Sequence, residues 1–444
     1  MADTDPGSGS GRSPRLNAAE VTIDALVKHE WGSVLAVLVS HINDLQLAED
    51  VLQDAVISAL THWKSAGIPD NPKAWLLRTA RNRAVDHFRR RSSYLIKQSE
   101  LAILQALQQR VDEPELDSAI PDERLRLMFT CCHPVLTSDA QIALTLKTLC
   151  GLSTVEIARA FILPEATMAQ RLVRAKRKIR DDSIPYAEPG KRELPQRLES
   201  VLGVIYLIFN QSYSCTDYQD HAREALCNEA LYLSDTLLDL LPAEPEVHGL
   251  NALLYLHSSR RAARFDDAGN LLMLDQQDRK KWDQTSIEHG NRMLKSAVGF
   301  SRVGVYTLQA AISAEHAKAM TSDATDWQAI VQLYSHLYAL NPSLVVKLNR
   351  AVAVSFADGA AAGLAAMPAV SPDVPGRDEL ASYQPYHAAM ADLHARNGSR
   401  QDAEHHYDKA ITLSGSVREK AYLRAQLKAL QDSTNEAVIA TIEV

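Results

Sequence analysis

The sequence predicts an all-α protein, in which two small helical domains, the second a helix-turn-helix, precede a larger helical-repeat domain. Three observations support this fold class. The chain of 444 residues is too long for one ordinary core. It is rich in Leu and Ala and only 6% aromatic, a composition that favours helices over strands. Apolar residues recur at steps of three and four between breaks rich in Pro, Gly and Asn.

The first small domain is predicted over residues 28–95, after a disordered tail at residues 1–27. Its first helix carries an apolar stripe formed by Leu45, Ala48, Leu52, Ala55 and Ala59. A break at Gly67–Pro72 separates it from a second helix, whose inward stripe is formed by Leu77, Ala80, Ala84 and Phe88. Each helix therefore has one face for the core and one face for a partner.

The second small domain is predicted over residues 119–185, after a linker at residues 96–118. Pro121 is expected at the start of its first helix. Ser153 and Glu156 form a capping box that begins a short helix ending near Phe161, and Pro164 suits the first turn of the next helix. The inward stripe of that last helix is formed by Met168, Leu172, Ala175 and Ile179. The pattern is that of a helix-turn-helix.

Residues 190–444 are predicted to form helical repeats. The last hairpin resembles one tetratricopeptide-type repeat, with small and large packing residues at Ala388, Leu393, Ala403, Tyr407 and Ala410. The Trp and Leu-Gly positions of that repeat are absent. The apolar run Val201–Phe209 is interpreted either as buried helix core or as the lining of a ligand pocket.

Several classes of protein do not fit the sequence. No apolar run approaches the ~18 residues of a membrane span, and the start lacks the apolar core of a signal peptide, so a cytoplasmic protein without membrane contact is expected. Cys131–His133 could belong to a metal site or be buried small hydrophobes, and no second Cys/His pair lies at zinc-like spacing. No nucleophile, base and orienting group occur together. We therefore expect no catalytic residue, metal or cofactor.

Charge is segregated along a chain whose formal net charge is -8. Residues 41–54 carry four acids and no Lys or Arg, residues 71–91 carry seven bases and one acid, and residues 164–180 carry six bases and one acid. Blocks of alternating sign indicate one acidic protein-docking face and two basic nucleic-acid faces. For the acids alone, which include Asp50 and Asp54 at i and i+4, docking and ordinary solvation both remain open.

The helix of the third block is about 25 Å long, so its first turn can enter a major groove while later cations reach phosphates. The outward residues are Thr167, Gln170, Arg171, Arg174 and Lys178. Arg and Gln can form bidentate hydrogen bonds with base edges. In the second block Trp75 and Phe88 interleave with the cations, which suits strand-separated DNA, although aromatic residues are also common in cores.

Three motifs in this order resemble an extracytoplasmic-function sigma factor of the sigma-70 class, a promoter-specificity subunit of bacterial RNA polymerase. They read AEDVLQDAVISAL, NPKAWLLRTARNRAVDHFRRR and STVEIARAFILPEATMAQRLVRAKRKI, and the resemblance covers residues 28–185. The remainder is similar to the tetratricopeptide-like C-terminal extension that one subgroup of these factors carries. Pro164 stands where many relatives have a Ser cap.

The resemblance implies roles for particular residues. Contact with core polymerase, through its β′ and β subunits, would use Glu49, Asp50, Gln53 and Asp54. Recognition and melting of the -10 element would use Trp75, Arg78, Asn82, Arg83, Asp86, Arg89 and Arg90. Recognition of the -35 element would use Thr167, Gln170, Arg171, Arg174, Arg177 and Lys178. The partners would be core polymerase, promoter DNA and a protein or peptide regulator at the C-terminal repeats.

The expected function is therefore promoter-specific initiation of transcription, in a stress response, with the C-terminal helices regulating the factor in cis. The alternative is a duplex-DNA-binding regulator with a tetratricopeptide-like sensor that acts without core polymerase. That alternative leaves the acidic block and the second basic helix without a joint explanation.

Overall fold

The computed structural model describes residues 18–91, 116–161, 163–213, 221–266, 269–368 and 380–442. Within these ranges the secondary structure is helical, with no strand and a single isolated bridge between Phe265 and Leu271. The all-α prediction is confirmed. The chain divides into two compact units, unit 1 at residues 1–204 and unit 2 at residues 205–444, each of which is described by itself.

Unit 1 contains seven helices in its described residues and the first part of an eighth, which continues into unit 2. They are α1 (Ala18–Ile42), α2 (Leu45–Ala66), α3 (Pro72–Arg91), α4 (Leu116–Cys131), α5 (Ser138–Thr148), α6 (Thr154–Ala160), α7 (Glu165–Asp181) and α8 (Leu194–Tyr213). Helix α1 packs against α2, α3 and α4. Both predicted small domains therefore belong to one compact unit.

Two helix starts differ from the sequence prediction. Helix α1 begins at Ala18, inside the predicted tail, because Ala19 and Ile23 are buried and extend its apolar face toward the N-terminus. Helix α4 begins at Leu116, inside the predicted linker and five residues before Pro121. The rest of the linker prediction, like residues 1–17, lies outside the described residues.

The apolar stripes predicted for α2, α3 and α7 are confirmed, since each of their residues is buried. Asp44 caps α2 by accepting hydrogen bonds from the amides of Gln46 and Leu47 at 2.9 and 3.1 Å. Ser153 and Glu156 form the predicted capping box at the start of α6. Pro164 is the N-cap of α7 and not part of its first turn, and its side chain makes no capping hydrogen bond. The helix-turn-helix is thus formed by α6 and α7.

Unit 2 contains the end of α8 and ten further helices in its described residues. They are α9 (His221–Leu240), α10 (Pro245–Ser258), α11 (Gln284–Gly299), α12 (Val305–Lys318), α13 (Trp327–Leu340), α14 (Leu344–Ala357), α15 (Ala360–Ala366), α16 (Gln384–Arg396), α17 (Arg400–Leu413) and α18 (Val417–Ile442). These helices pack chiefly on neighbours in sequence, as helical repeats do. The predicted final hairpin corresponds to α16 and α17, while its tetratricopeptide likeness stays a prediction.

Helix α12 is held at both ends by charged side chains from other segments. Glu246 accepts hydrogen bonds from the amides of Tyr306 and Thr307 at 2.7 and 3.1 Å, near its N-terminus. Arg279 donates to the carbonyls of His316 and Ala319 at its C-terminus. An acid at the first turn and a cation at the last both oppose the helix dipole. The two contacts therefore fix α12 within unit 2.

Two open sequence interpretations are resolved by burial. In the run Val201–Phe209 six side chains are buried, namely Val201, Leu202, Val204, Ile205, Ile208 and Phe209, which favours helix core. Cys131 and Cys132 are also buried, and their sulfurs lie 3.1 Å from Thr148 Oγ1 and 3.6 Å from Thr145 Oγ1. Burial raises the pKa of the Cys132 thiol to about 12, as expected for small core residues.

Candidate nucleic-acid interface

The acidic side of α2 presents a face that we call the docking face, formed by Asp50, Gln53, Asp54 and Ile57. All four side chains are exposed, and Ile57 is exposed to 61%. An exposed isoleucine beside acids suits contact with a protein surface that is basic and partly apolar. Sequence reasoning missed Ile57. It could have been found, because it is a large apolar residue that lies outside the apolar stripe of α2.

Glu49, which was predicted to share this face, lies apart from it. Its side chain is only 2% exposed, and it forms an ion pair with Lys176 of α7. The ammonium of Lys176 also donates a 3.1 Å hydrogen bond to Gln46 Oε1. Glu49 therefore joins α2 to the helix-turn-helix and is not presented to solvent with Asp50 and Asp54. No sequence pattern connects residue 49 with residue 176.

Helix α3 begins after the Gly67–Pro72 break, where Asn71 Oδ1 accepts a 3.0 Å hydrogen bond from the amide of Ala74. Trp75 is half-buried. Its ring stacks on His62 at 5.8 Å and meets Trp63 edge-on at 5.4 Å. The three rings connect the end of α2 to the start of α3. Sequence reasoning missed the exposed His62 as part of this aromatic cluster. An exposed base could extend such a stack.

Five of the residues predicted to read the -10 element are exposed on α3: Arg78, Asn82, Asp86, Arg89 and Arg90. Arg83 is exposed too, but it is engaged with α2. Its guanidinium donates a 2.6 Å hydrogen bond to Ser58 Oγ and lies 3.4 Å from Asp54 Oδ2. Arg83 therefore connects the outward side of α3 with the docking face.

On α7 the structure separates the residues predicted to read the -35 element. Thr167, Gln170 and Arg174 are exposed along one side, which we call the reading row. Arg177 and Lys178 instead pair with Asp181 and Asp182, one turn further along, at 3.0 and 2.9 Å. The hydrogen bond from Arg177 lowers the pKa of Asp181.

Arg171 is placed differently from the reading row. Its side chain is 26% exposed and forms a 3.1 Å ion pair with Asp139 of α5. The guanidinium thus holds α7 against the preceding helix. Arg171, which was predicted to read the -35 element, is therefore engaged with a neighbouring helix and is less exposed than the reading row.

Unit 2 contains a polar network between helices that sequence reasoning did not find. Asp235 accepts 2.8 Å hydrogen bonds from Asn251 and Tyr255, and Asn251 Oδ1 lies 2.8 Å from His289 Nε2. Burial raises the pKa of Tyr255 and lowers that of His289. These side chains connect α9, α10 and α11. Only Asn251 and Tyr255 share a helix, so the spacing in sequence gives no signal that Asp235 and His289 lie beside them.

The described ranges lack both a metal-binding cluster and a membrane-spanning helix. No group of three or more His, Cys, Asp or Glu side chains there is arranged to hold a metal ion. None of the helices there combines the length and apolarity that crossing a bilayer requires.

Family models match three parts of the chain. Residues 26–94 match Sigma-70 region 2, residues 126–179 match Sigma-70, region 4, and residues 197–298 match a family of unknown function, DUF6596. The first match contains the docking face and α3, and the second contains the helix-turn-helix. We refer to these two segments as region 2 and region 4.

A protein of Rhizobium meliloti (strain 1021), described as Uncharacterized protein R00370, is 41% identical over 408 residues. The alignment covers 91% of this chain and 95% of that protein. No solved structure matches. The chain therefore belongs to the family of that Rhizobium meliloti protein, and its matches to Sigma-70 regions 2 and 4 support a sigma-70 family sigma factor.

Proposed function

We propose that this sigma factor binds core RNA polymerase through the docking face and directs initiation at promoters whose -10 element is read by α3 and whose -35 element is read by α7. The C-terminal helices regulate it in cis. The proposal depends chiefly on one observation: the reading row is exposed on a capped helix-turn-helix while an acidic docking face is exposed on α2.

Core binding is supported by the chemistry of the docking face. Asp50 and Asp54 lie one turn apart on the same side of α2, and like charges at that spacing disfavour the helix. Ile57 adds an exposed apolar contact beside them. A basic, partly apolar helix of the polymerase would neutralise the acids and cover the isoleucine.

Promoter melting is supported by the exposed polar side of α3. Arg78 and Arg90 can contact phosphates, and Asn82 can bond base edges that are exposed in a separated strand. Trp75, already stacked on His62, lies at the start of the same helix. Cations, an amide and an aromatic ring on one helix fit single-stranded DNA better than an intact duplex.

Recognition of the -35 element is supported by the reading row. Gln170 and Arg174 lie one turn apart and Thr167 precedes them by three residues, so all three face the same way. Arg174 can donate two hydrogen bonds to a guanine, whereas Gln170 can donate one to N7 of an adenine and accept one from its N6 amino group. Arg177 and Lys178 are in exposed ion pairs with Asp181 and Asp182, and because such pairs are weak, either cation can exchange its acid for a phosphate.

Run-off transcription with purified core polymerase tests the proposal. We expect transcripts from a cognate promoter only when the protein is added. Absence of both transcripts and core binding would contradict the proposal and favour the regulator that binds duplex DNA alone.

Regulation in cis is tested by truncation in the same assay. Arg197 of α8 donates a hydrogen bond to the carbonyl of Phe129 in unit 1, so removing α8 disturbs unit 1 directly. We therefore compare the full chain with chains ending at residues 189 and 213. Equal transcription by all three would contradict regulation by the C-terminal helices.

A further inference from the structure

The C-terminal end of α4 is the place where side chains from α5 and α8 meet it. The carbonyls in the last turn of a helix have no partner within that helix. Arg197 Nη2 of α8 donates a hydrogen bond to the carbonyl of Phe129 in this turn. Gln141 Nε2 of α5 donates to the carbonyls of Cys132 and His133, at 3.2 and 2.9 Å. Side chains from two other helices thus bond the carbonyls at and just beyond the end of α4.

The contact made by Arg197 is charged and partly shielded from water. Desolvation lowers the pKa of Arg197, while Glu193 raises it. Desolvation and the charge of Arg197 together lower the pKa of His133 in the turn that follows α4. A guanidinium beside the C-terminal carbonyls of a helix interacts favourably with the helix dipole. Replacement of Arg197 by an uncharged side chain would therefore remove both a donor and a favourable charge from the end of α4.

The first turn of α5 connects the end of α4 with the recognition helix. Gln141 is 8% exposed, and its two hydrogen bonds hold this turn against α4. Thr137, the N-cap of α5, makes no side-chain capping hydrogen bond. Asp139 lies in the same turn, and its Oδ2 atom lies 3.1 Å from Arg171 Nη1 on α7. The position of Asp139, and with it that of Arg171, therefore depends on how α5 contacts α4.

Arg171 lies directly beside the reading row. It follows Thr167 by four residues and precedes Arg174 by three, so it is next to both on the surface of α7. Its Nη1 atom is buried and makes no aligned hydrogen bond in the described part of the chain, which leaves the charge of Asp139 as its support. Loss of that charge would leave a buried cationic nitrogen uncompensated. Arg171 would then move, and the neighbouring reading row would turn with α7.

Arg197 lies outside the segment that matches region 4. That match ends at residue 179, and residue 197 is the first of the match to DUF6596. The first half of α8 nevertheless belongs to the same compact unit as the helix-turn-helix. Its buried side chains within that unit are Leu198, Val201, Leu202 and Val204. The structural support of the recognition helix thus extends beyond region 4.

We propose that Arg197 is a positioning residue for recognition of the -35 element, acting through the end of α4, the first turn of α5 and the Asp139–Arg171 pair on α7. The inference rests on the proposed function, because only a chain that reads a -35 element needs the reading row at a fixed angle. It gives Arg171 a role other than base contact. A chain of contacts transmits such an effect only where disturbing one member alters the next, which is measurable.

Competition binding by the full chain in complex with core polymerase tests the positioning role. The probe is a promoter duplex selected from a random-sequence pool by polymerase that carries the unmodified chain, with its single-base variants at the -35 element. We expect Arg197→Met to reduce the affinity ratio between the selected duplex and these variants about 5-fold, a loss comparable to that of one bidentate base contact. The loss should spread over all base pairs that the reading row contacts. Arg197→Lys should retain most of the ratio, because it keeps a cation at the end of α4.

The matched control is Arg192→Met, which removes the same charge from an exposed side chain five residues earlier. It should leave the ratio unchanged. A merely structural contact of Arg197 would lower the melting temperature and the affinity for all duplexes alike, and an unchanged ratio in Arg197→Met would overturn the positioning role. An equal loss of the ratio in Arg192→Met would also overturn it, because net charge would then be the cause.

A double substitution tests the route from α8 to α7. Asp139→Asn alone should reduce the ratio as Arg197→Met does. The two substitutions together should reduce it no further, because both residues act in one chain of contacts. Losses that add in the double variant would overturn the route through α5.

Hydrogen exchange of the full chain without DNA separates this inference from the proposed function. We expect Arg197→Met, but not Arg192→Met, to increase exchange in peptides from α7. Unchanged protection of α7 would overturn its connection with α8. Failure of the polymerase complex to select any sequence would instead contradict the proposed function, while the exchange result still decides whether the connection exists.

Discussion

The two basic helices of unit 1 differ in what their cations contact. On α3, Arg78 and Arg90 are exposed, whereas Lys73 pairs with Glu30 of α1 and Arg83 with Asp54 of α2. On α7, five of the six cations are in ion pairs, namely Arg171, Lys176, Arg177, Lys178 and Arg180. The number of Lys and Arg residues in the sequence therefore overstates how many unpaired cations α7 exposes. The same number is a better guide for α3, where fewer cations are in ion pairs. Under the proposed function, the specificity of α7 would therefore depend on the three residues of the reading row.

The largest effect is expected at the docking face, which lies beside both helices. Reversing Asp50→Lys together with Asp54→Lys should reduce affinity for core polymerase at least ~100-fold, because like charges at an interface cost several kcal/mol. The measurement is a binding isotherm with labelled core polymerase. The control reverses two exposed acids elsewhere in unit 1, Glu193→Lys with Glu199→Lys.

If both double variants lose affinity equally, the loss reflects the net charge of the chain, and the docking face is assigned wrongly. Circular dichroism should show unchanged helix content in each variant, because none of these four side chains is buried.

The next largest effect separates the reading row from the paired cations of α7. Arg174→Ala should weaken binding to a cognate -35 duplex by about 1 to 3 kcal/mol and relax preference at one base pair. Arg171→Ala should lower the thermal stability of unit 1 instead, because it removes the pair with Asp139. Competition binding on single-base variants of the duplex measures the first effect, and thermal melting measures the second.

Arg177→Ala provides a comparison within the same helix. It should weaken binding equally on all sequences and reduce the salt dependence of affinity by about one unit of slope. If Arg177→Ala lost affinity at one particular base pair and Arg174→Ala did not, Arg177 and not Arg174 would be the residue that contacts a base.

A smaller effect is expected at the contact between α3 and the docking face. Arg83→Ala should reduce affinity for core polymerase a few-fold, since an exposed ion pair of this kind contributes about 0.2 to 1 kcal/mol. Arg78→Ala should leave core affinity unchanged and weaken binding to single-stranded DNA. The same core-binding isotherm and a fluorescence assay with a labelled single strand measure the two variants. Equal behaviour of the two would mean that Arg83 does not couple the surfaces.

The sequence predicted the helices of unit 1 and its outward faces well, because amphipathic spacing reports directly which side of a helix is buried. The stripes of α2, α3 and α7 show this residue by residue. Spacing carries no information about pairs such as Lys176 with Glu49, which join residues 127 positions apart. Nor could it reveal the network of Asp235 and Asn251, whose members come from separate helices.

The last effect concerns two histidine side chains of unit 2 that are largely neutral at pH 7. His387 and His406 face each other in α16 and α17, with 2.9 Å between their Nδ1 atoms. Desolvation lowers the pKa of both, that of His406 to about 4, with further contributions from His387, His394, His405 and Lys409. Because His387 Nε2 lies 3.0 Å from the carbonyl of Ala381, this nitrogen carries the proton and Nδ1 of His387 accepts from His406.

Protonation of His406 should therefore destabilise this hairpin. Its pKa in the folded state is below its value of 6.5 in the unfolded state, so the unfolded state binds more protons between pH 6.5 and 4. The stability is complete above pH 6.5 and decreases as the pH falls toward 4. After allowance for solvent screening at a partly exposed site, we expect a loss of order 1 kcal/mol.

Hydrogen exchange of peptides from α16 and α17 in the full chain, at pH values from 7 to 5 and corrected for the intrinsic rate, measures this loss. His406→Gln should remove most of the pH dependence, whereas His405→Gln, which alters an exposed neighbour, should retain it. Equal pH dependence in both variants would assign the effect to other groups.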